Sequence, residues 1–506
     1  MSRPGDNGLL VALAFAAFMT CLDNTVVNVA LPRIQQDLRL DLSGLEWVAA
    51  AYPLTFAALL LTGGRAADVW GRRPTLLTGL ALFTGASLLC GLARGGAVLI
   101  AWRGVQGIGA ALVIPASLAV LMRDLGPRAR AAGIATWMSA LAAALALGPV
   151  FGGLISQHWG WGWIFAINVP FGLLAMAAVA RSVPGGRAGA VPMGAVPSEG
   201  GGEGADRDGG ADRDGGAGGG HRSVRRSAQQ FDPAGTVLSC LAAGGCAYGL
   251  IEGPHHGFVS PVTLWAFIGS SCALGLFVAR QFTACTPMVD LGIFRDRVFS
   301  GGVAAQVLWG LGVNGVFLFT ALFLQRGLGF TPTKAGLAFT PVALCLIAAT
   351  PVASLLTRRL GVHRTSAGGL LTVAGGLLLL ARVGEGATVL DLLPGLVAIG
   401  AGSAVTVPLA ASTLDSSSDG SSGVVSGVLS AAREFSGLLG IALVGAVVAR
   451  HQGQAVRRGA DPGAAFLEGY HAGLVLAAVL VGVGALVAGV ALRPRAAGPG
   501  ALRPEG

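Results

Sequence analysis

The chain of 506 residues is 53% hydrophobic and only 12% charged, with a mean hydropathy of +0.70. Soluble globular proteins carry about 25% charged residues, so an ordinary water-soluble enzyme is excluded and a polytopic, all-α membrane protein is expected. The formal net charge of +9 comes from basic residues set singly or in pairs between apolar blocks; that is the placement of topology determinants and excludes a basic face for nucleic acid.

In chain order, apolar blocks of roughly 20 residues predict fourteen membrane helices. Six fall near 8–31, 45–62, 76–94, 98–121, 131–156 and 163–183. Two follow near 234–252 and 262–282, and six more near 299–324, 334–356, 365–382, 388–411, 424–449 and 470–492. The first block begins like a secretory signal, but Asp23 interrupts it and no convincing cleavage site follows, so it is retained as a span. An even number of spans puts both termini on one side. Most of the 34 basic residues fall on that side, which the positive-inside rule makes the cytoplasm. The stretch Ser412–Gly423 runs against this, with Asp415 and Asp419 and no basic residue.

The domains expected are therefore a six-helix bundle over 1–183, a linker over 184–231, two additional helices over 232–298, a second six-helix bundle over 299–492 and a cytoplasmic tail over 493–506. The linker is rich in glycine and repeats ADRDGG at 205–210 and 211–216. It has too little apolar surface to offset its ordering entropy, so a disordered spacer is expected. The seven cysteines lie scattered in apolar segments with no CxxC pair, which fits neither a disulfide framework nor a metal site.

Within the first span, LDNTVVNVALP holds Asp23 about eight residues, or roughly 12 Å, inside an exit near Leu31. The fourth span carries Arg103, Gln106, Gly107 and Gly109 in RGVQGIGAA. A guanidinium in a membrane helix is costly and calls for a cavity or a partner, and both charges fall in the outer half of the bilayer. Proton exchange on Asp23, tuned by Arg103, is the chemistry this pair suggests; Asp23 as a mere hydrogen-bonding group of an outer cavity is the alternative. Between spans two and three, GRAADVWGRRPTL sets Asp68 among Arg65, Arg72 and Arg73, with Gly64 and Gly71 framing the stretch. An acid among arginines at a helix boundary can form a charge–helix-terminus latch. In the fifth span, ALALGPVFGGL places Ala144, Gly148 and Gly152 on one face for close helix approach, beside Pro149 and Gly153. Mid-span polar residues Glu434, Asn28, Gln106 and Asn314 are candidates for a substrate cavity.

The spacing of the Gly64–Arg73 stretch resembles the signature loop G-x-x-x-D-x-x-G-R-R/K of the major facilitator superfamily. A weaker echo, Arg358, Arg359, Gly361, His363 and Arg364, follows the tenth span, with arginine at the acid position, and argues for two related six-helix halves. Gly148, Pro149, Gly152 and Gly153 resemble the G-P-x-x-G-G signature of that superfamily's exporters. WGWGWIFAINVPFG (159–172), FDPAG (231–235), FTPTKAGLAFTP (330–341) and SGVLSAAREFSGLLG (426–440) extend the resemblance to its fourteen-helix drug:proton antiporters of the EmrB/QacA type. Gly162 stands where that family usually has an arginine. The resemblance implies a major facilitator fold of two pseudo-symmetric six-helix bundles plus two central helices. It also implies proton-coupled export of small amphipathic drugs or antibiotics by alternating access, in the cell membrane, with no cofactor beyond the proton gradient. Partners are then the drug, protons and lipid, with the chain acting as a monomer. A proton-coupled uptake carrier or a non-transporting membrane sensor are the other readings. The chain shows no phosphate-binding P-loop and no HExxH site, so ATP drive within the chain and metalloenzyme chemistry find no support.

Overall fold

A computed structural model describes residues 6–124, 127–183, 232–284, 288–289, 291–415 and 422–493. The expected linker over 184–231, most of the tail and the acidic stretch 416–421 lie outside the described residues. Within the described residues the regular structure is helical, as hydrocarbon demands of a chain whose backbone has no water to bond to.

The first half holds α1 (Asp6–Leu38), α2 (Leu42–Val69), α3 (Arg72–Gly91), α4 (Gly96–Asp124), α5 (Pro127–His158), α6 (Gly162–Ala166) and α7 (Asn168–Ser182). Then come α8 (Pro233–His256) and α9 (Pro261–Thr283). The second half holds α10 (Arg297–Leu322), α11 (Pro332–Ala338), α12 (Thr340–Leu360), α13 (Val362–Leu380), α14 (Val389–Ser403), α15 (Thr406–Asp415), α16 (Ser422–Arg457) and α17 (Pro462–Ala491).

Among the described residues, thirteen stretches are long and apolar enough to cross a membrane. The remaining expected span is α13, whose first turn carries His363, Arg364, Thr365 and Ser366 and so lowers its hydropathy. Its packing against α14 and α17 nevertheless places it inside the second bundle. Three expected single spans are two helices each, broken at Ile167, Phe339 and between Ser403 and Thr406. The first helix runs seven residues past the expected exit at Leu31, through Pro32 to Leu38. Ile34 is fully buried there, Gln35 Nε2 reaches the Leu40 carbonyl (2.9 Å), and Arg39, at φ 53°, then turns the chain.

The two halves repeat one packing scheme. In the first, α1 packs on α5 and α7, α4 on α2 and α3, and α3 on α7; in the second, α10 packs on α16 and α17, α14 on α12 and α13, and α13 on α17. The repeat extends to a turn: Gly71 ends the α2–α3 connection at φ 99° and Gly361 the α12–α13 connection at φ 83°, a conformation that favours glycine. Both lie at the end of the molecule where α1 starts and α17 finishes, here called the terminal end; the opposite is the far end.

Two seams join the bundles, α2 against α16 and α5 against α11 and α12. The added hairpin lies on the first seam, with α8 touching both α2 and α16 and α9 packing on α8. At the far end the bundles interlock. Gln325 Nε2 donates to the Val29 carbonyl (2.8 Å) and the Thr333 N–H to Gln157 Oε1 (3.1 Å). Gly153 lies against the Pro332 carbonyl, and Gly336 against that of Pro149, so tightly that a Cβ on either would overlap backbone.

Candidate functional site

Near the middle of the first bundle the helices bring five polar side chains into one dry cluster. Asp23 comes from α1, Ser87 from α3, Arg103 and Gln106 from one face of α4, and Asn168 from the first turn of α7. All five are at most 1% exposed. The Arg103 guanidinium pairs through Nη1 with Asp23 Oδ2, and the same nitrogen donates to Gln106 Oε1 (2.8 Å). Asp23 Oδ1 accepts from Gln106 Nε2 and from Asn168 Nδ2, each at 2.8 Å. Gln106 also donates to Ser87 Oγ (2.7 Å), whose hydroxyl donates to the Phe83 carbonyl.

Arg103 is held from other sides too. Its Nε donates to the Val48 carbonyl (3.3 Å), and its head lies 4.7 Å from the Tyr52 ring centroid and 5.7 Å from that of Phe165. Tyr52 is fixed in turn by donating to the Thr20 carbonyl (2.9 Å). Such stacking suits a guanidinium better than an ammonium. Among the described residues Arg103 Nη2 has no partner, leaving one buried donor unused.

The expected pair of Asp23 and Arg103 is thus a direct contact. Gln106, expected in a substrate cavity, is instead fully buried and belongs to this cluster. Asn168 and Ser87 did not stand out in the sequence. The signal for Asn168 was the one polar side chain within the apolar run IFAINVPF, at a place where the helix breaks and turns its new first residue inward.

The glycine face of α5 does two jobs. Ala144, Gly148 and Gly152 meet α1: Thr25 Oγ1 donates to the Ala144 carbonyl (3.3 Å), and a Cβ on Gly148 or Gly152 would overlap Thr25 or the Val26 carbonyl. Pro149 and Gly153 face the other bundle through the far-end contacts described above. The helix continues through Pro149.

Asn314 on α10 donates to the Gly310 carbonyl (3.0 Å) and stands beside Gly437 of α16, close to one turn from Glu434. Glu434 is half-buried, and its charge acts on Cys21 and Tyr52 across the bundle interface. Asn28 is half-buried on α1. Glu434 and Asn314 thus share one region of the second bundle that faces the Asp23 helix, while Asn28 lies farther toward the far end.

At the terminal end Asp68 is exposed in the last turn of α2, before the Gly71 turn. Arg73 Nη2 donates to the Ala180 carbonyl (2.7 Å), tying α3 to the end of α7, and Thr75 Oγ1 donates to the Gly71 carbonyl (2.8 Å). Gly64 has only ordinary contact with Pro115; the close approach belongs to its neighbour Gly63, which lies on the Ala111 carbonyl of α4.

A sequence model described as the Major Facilitator Superfamily matches residues 13–441. The chain belongs to the major facilitator superfamily. It is a multi-pass membrane transporter and not an enzyme. Superfamily relatives include the multidrug resistance protein Stp of Mycobacterium tuberculosis, 32% identical over 87% of this chain and 75% of that protein. The tetracenomycin C resistance and export protein of Streptomyces glaucescens is 29% identical over 98% and 93%. Among solved structures, a bacterial homologue of the lysosomal transporter Spinster, inward-facing and unoccupied, shares the fold with a TM-score of 0.64 at 16% identity, covering 97% of this chain and 98% of that one.

Proposed function

We propose that this transporter exports small amphipathic drugs or antibiotics in exchange for protons. In this reading it acts as a monomer in the cell membrane, with both termini in the cytoplasm and the proton gradient as its only energy source. The far end is then the outer face, and the structure is the form closed to the outside. The observation that carries the reading is the buried Asp23–Arg103–Gln106–Asn168 cluster. A carboxylate placed there has donors on both oxygens; adding a proton breaks the pairing with Arg103 and leaves the guanidinium to find another acceptor. Protonation and helix packing are therefore linked at one point on α1, which touches both α5 and α10. Drug resistance and export in the names of Stp and the tetracenomycin protein support the direction and the substrate class.

Glu434 and Asn314, across the interface, and Asn28 are the groups we assign to the substrate, with Glu434 attracting cationic drugs. Asp68 with Arg72, Gly71 and Arg73 would latch the terminal face when the far end opens. Efflux in inverted vesicles under an imposed pH gradient tests the reading. Asp23→Asn is expected to abolish gradient-driven transport while leaving the protein in the membrane. Wild-type rates in that variant, or wild-type accumulation indifferent to a protonophore, would refute proton coupling through Asp23.

A further inference from the structure

A second buried carboxyl lies outside the cluster just described. Glu46, in the second turn of α2, is 2% exposed. No described residue donates a hydrogen bond to it, and the charges that reach it are those of Glu252 on α8 and Asp41 at the α2 cap, both negative. Its carboxyl group lies on Gly445 of α16, where a Cβ would overlap it. The group therefore sits at the far end of the seam between the bundles, under the added hairpin. Its neighbours are engaged elsewhere: Trp47 Nε1 donates to Glu252 Oε1 (3.0 Å), His256 stands 3.8 Å from Glu252, and His255 stands 4.0 Å from Asp41. From α16 it meets Gly445, and the exposed Arg450 is not among the charges acting on it. Pseudo-symmetry makes the comparison sharp. The other seam closes its far end with backbone contacts, Gly153 on Pro332 and Gly336 on Pro149; this one closes on an acid.

An ionised carboxylate with no donor and two negative neighbours is poorly tolerated in a dry contact, whereas a neutral acid fits. When the seam parts, water reaches the group and the charged form is restored. We propose that Glu46 is a proton-binding gate: the far end closes only when Glu46 has taken up a proton from the outer medium. Because the seam reopens to that same side, the proton returns there, so this site sets the response to outer pH without adding to the protons carried across. The gate rests on the reading of the far end as the outer face of an alternating-access transporter.

The test measures far-end distances in the full chain, with spin labels borne on unnatural amino acids at the exposed positions His158 and Lys334 on opposite bundles. The expected result is a longer distance as pH rises, in wild type and in the Asp23→Asn background alike. Glu46→Gln and Glu46→Met should stay short at every pH, and Glu46→Asp should recover the pH response. The methionine variant buries no polar atom, which keeps the test valid should the glutamine variant not accumulate. A pH response surviving in Glu46→Gln or Glu46→Met, or absent from wild type, would overturn the gate. Failure of wild-type gradient-driven transport would instead strike the exporter reading and leave the distance shift standing.

Discussion

Asp23 can hold a charge inside a bilayer because both of its oxygens face donors, and Arg103 can do so because a carboxylate, an amide, a carbonyl and two aromatic rings surround it. Breaking such a buried pair from one side leaves an uncompensated charge, at a cost of about 3–5 kcal/mol. Arg103→Gln should therefore lower thermal stability in detergent by that order, read from the melting of monomer on size-exclusion chromatography. Asp23→Asn/Arg103→Gln together should lose less than the sum of the two single changes, because neither charge is then stranded. Additive losses would show that the two residues are not energetically coupled. Arg103→Lys should not restore the wild type, since an ammonium cannot serve Val48, Gln106 and Asp23 at once.

Helices were largely legible because an apolar block of about 20 residues has few alternatives in hydrocarbon. The breaks at Ile167 and Phe339 were not, since hydropathy stays high across them and the change lies in backbone geometry. Asn168 was missed for the same reason: its inward direction is set by the break, not by the residue's position in an apolar run. That Asp23 and Arg103 belong to one half of the bilayer was legible, with a shared cavity or a direct pair both open, whereas Glu46 was not singled out, because its burial comes from a hairpin and a helix distant in sequence. That hairpin has a tie of its own. Asp232 caps α8 by accepting from the Gly235 N–H (2.9 Å) and pairs with Arg280 of α9 (2.7 Å). Burial pushes the Asp232 carboxyl up, but the Gly235 N–H, Arg280 and the charge of Arg65 outweigh it and hold it below the usual carboxylate range. A lowered folded value means stabilisation that is present above the unfolded value and fades as pH falls through the folded one. Arg280 is 42% exposed, so the ion pair itself is worth at most about 1 kcal/mol. Asp232→Ala should lower the melting temperature at neutral pH by the loss of cap and pair, and the gap from wild type should narrow in acid. A gap independent of pH would remove the carboxylate from the account.

At the scale of the whole molecule, alternating access requires contacts that can form and break as units, and the far end has them in reciprocal form. Gly153 of α5 receives the Pro332 carbonyl and Gly336 of α11 receives that of Pro149, so each bundle presents backbone to a bare Cα of the other. Backbone cannot swing aside as a side chain can, which makes this seam sensitive to a single added carbon. The same helix that carries Gly153 carries Gly148 and Gly152 against α1, five residues and one residue away, so under the proposed mechanism a change in how α1 holds Asp23 would be passed along one helix to the seam. Gly153→Leu should hold the far end apart: the distance between labels at His158 and Lys334, on opposite bundles, should lengthen, and transport should slow about tenfold or more. Gly148→Ala, facing α1 instead, should impair transport by disturbing Thr25 but leave that distance as in wild type. If Gly153→Leu left the distance unchanged, closure of the far end would have to depend on the α2–α16 seam alone, and the glycines of α5 would be packing residues with no part in the gate.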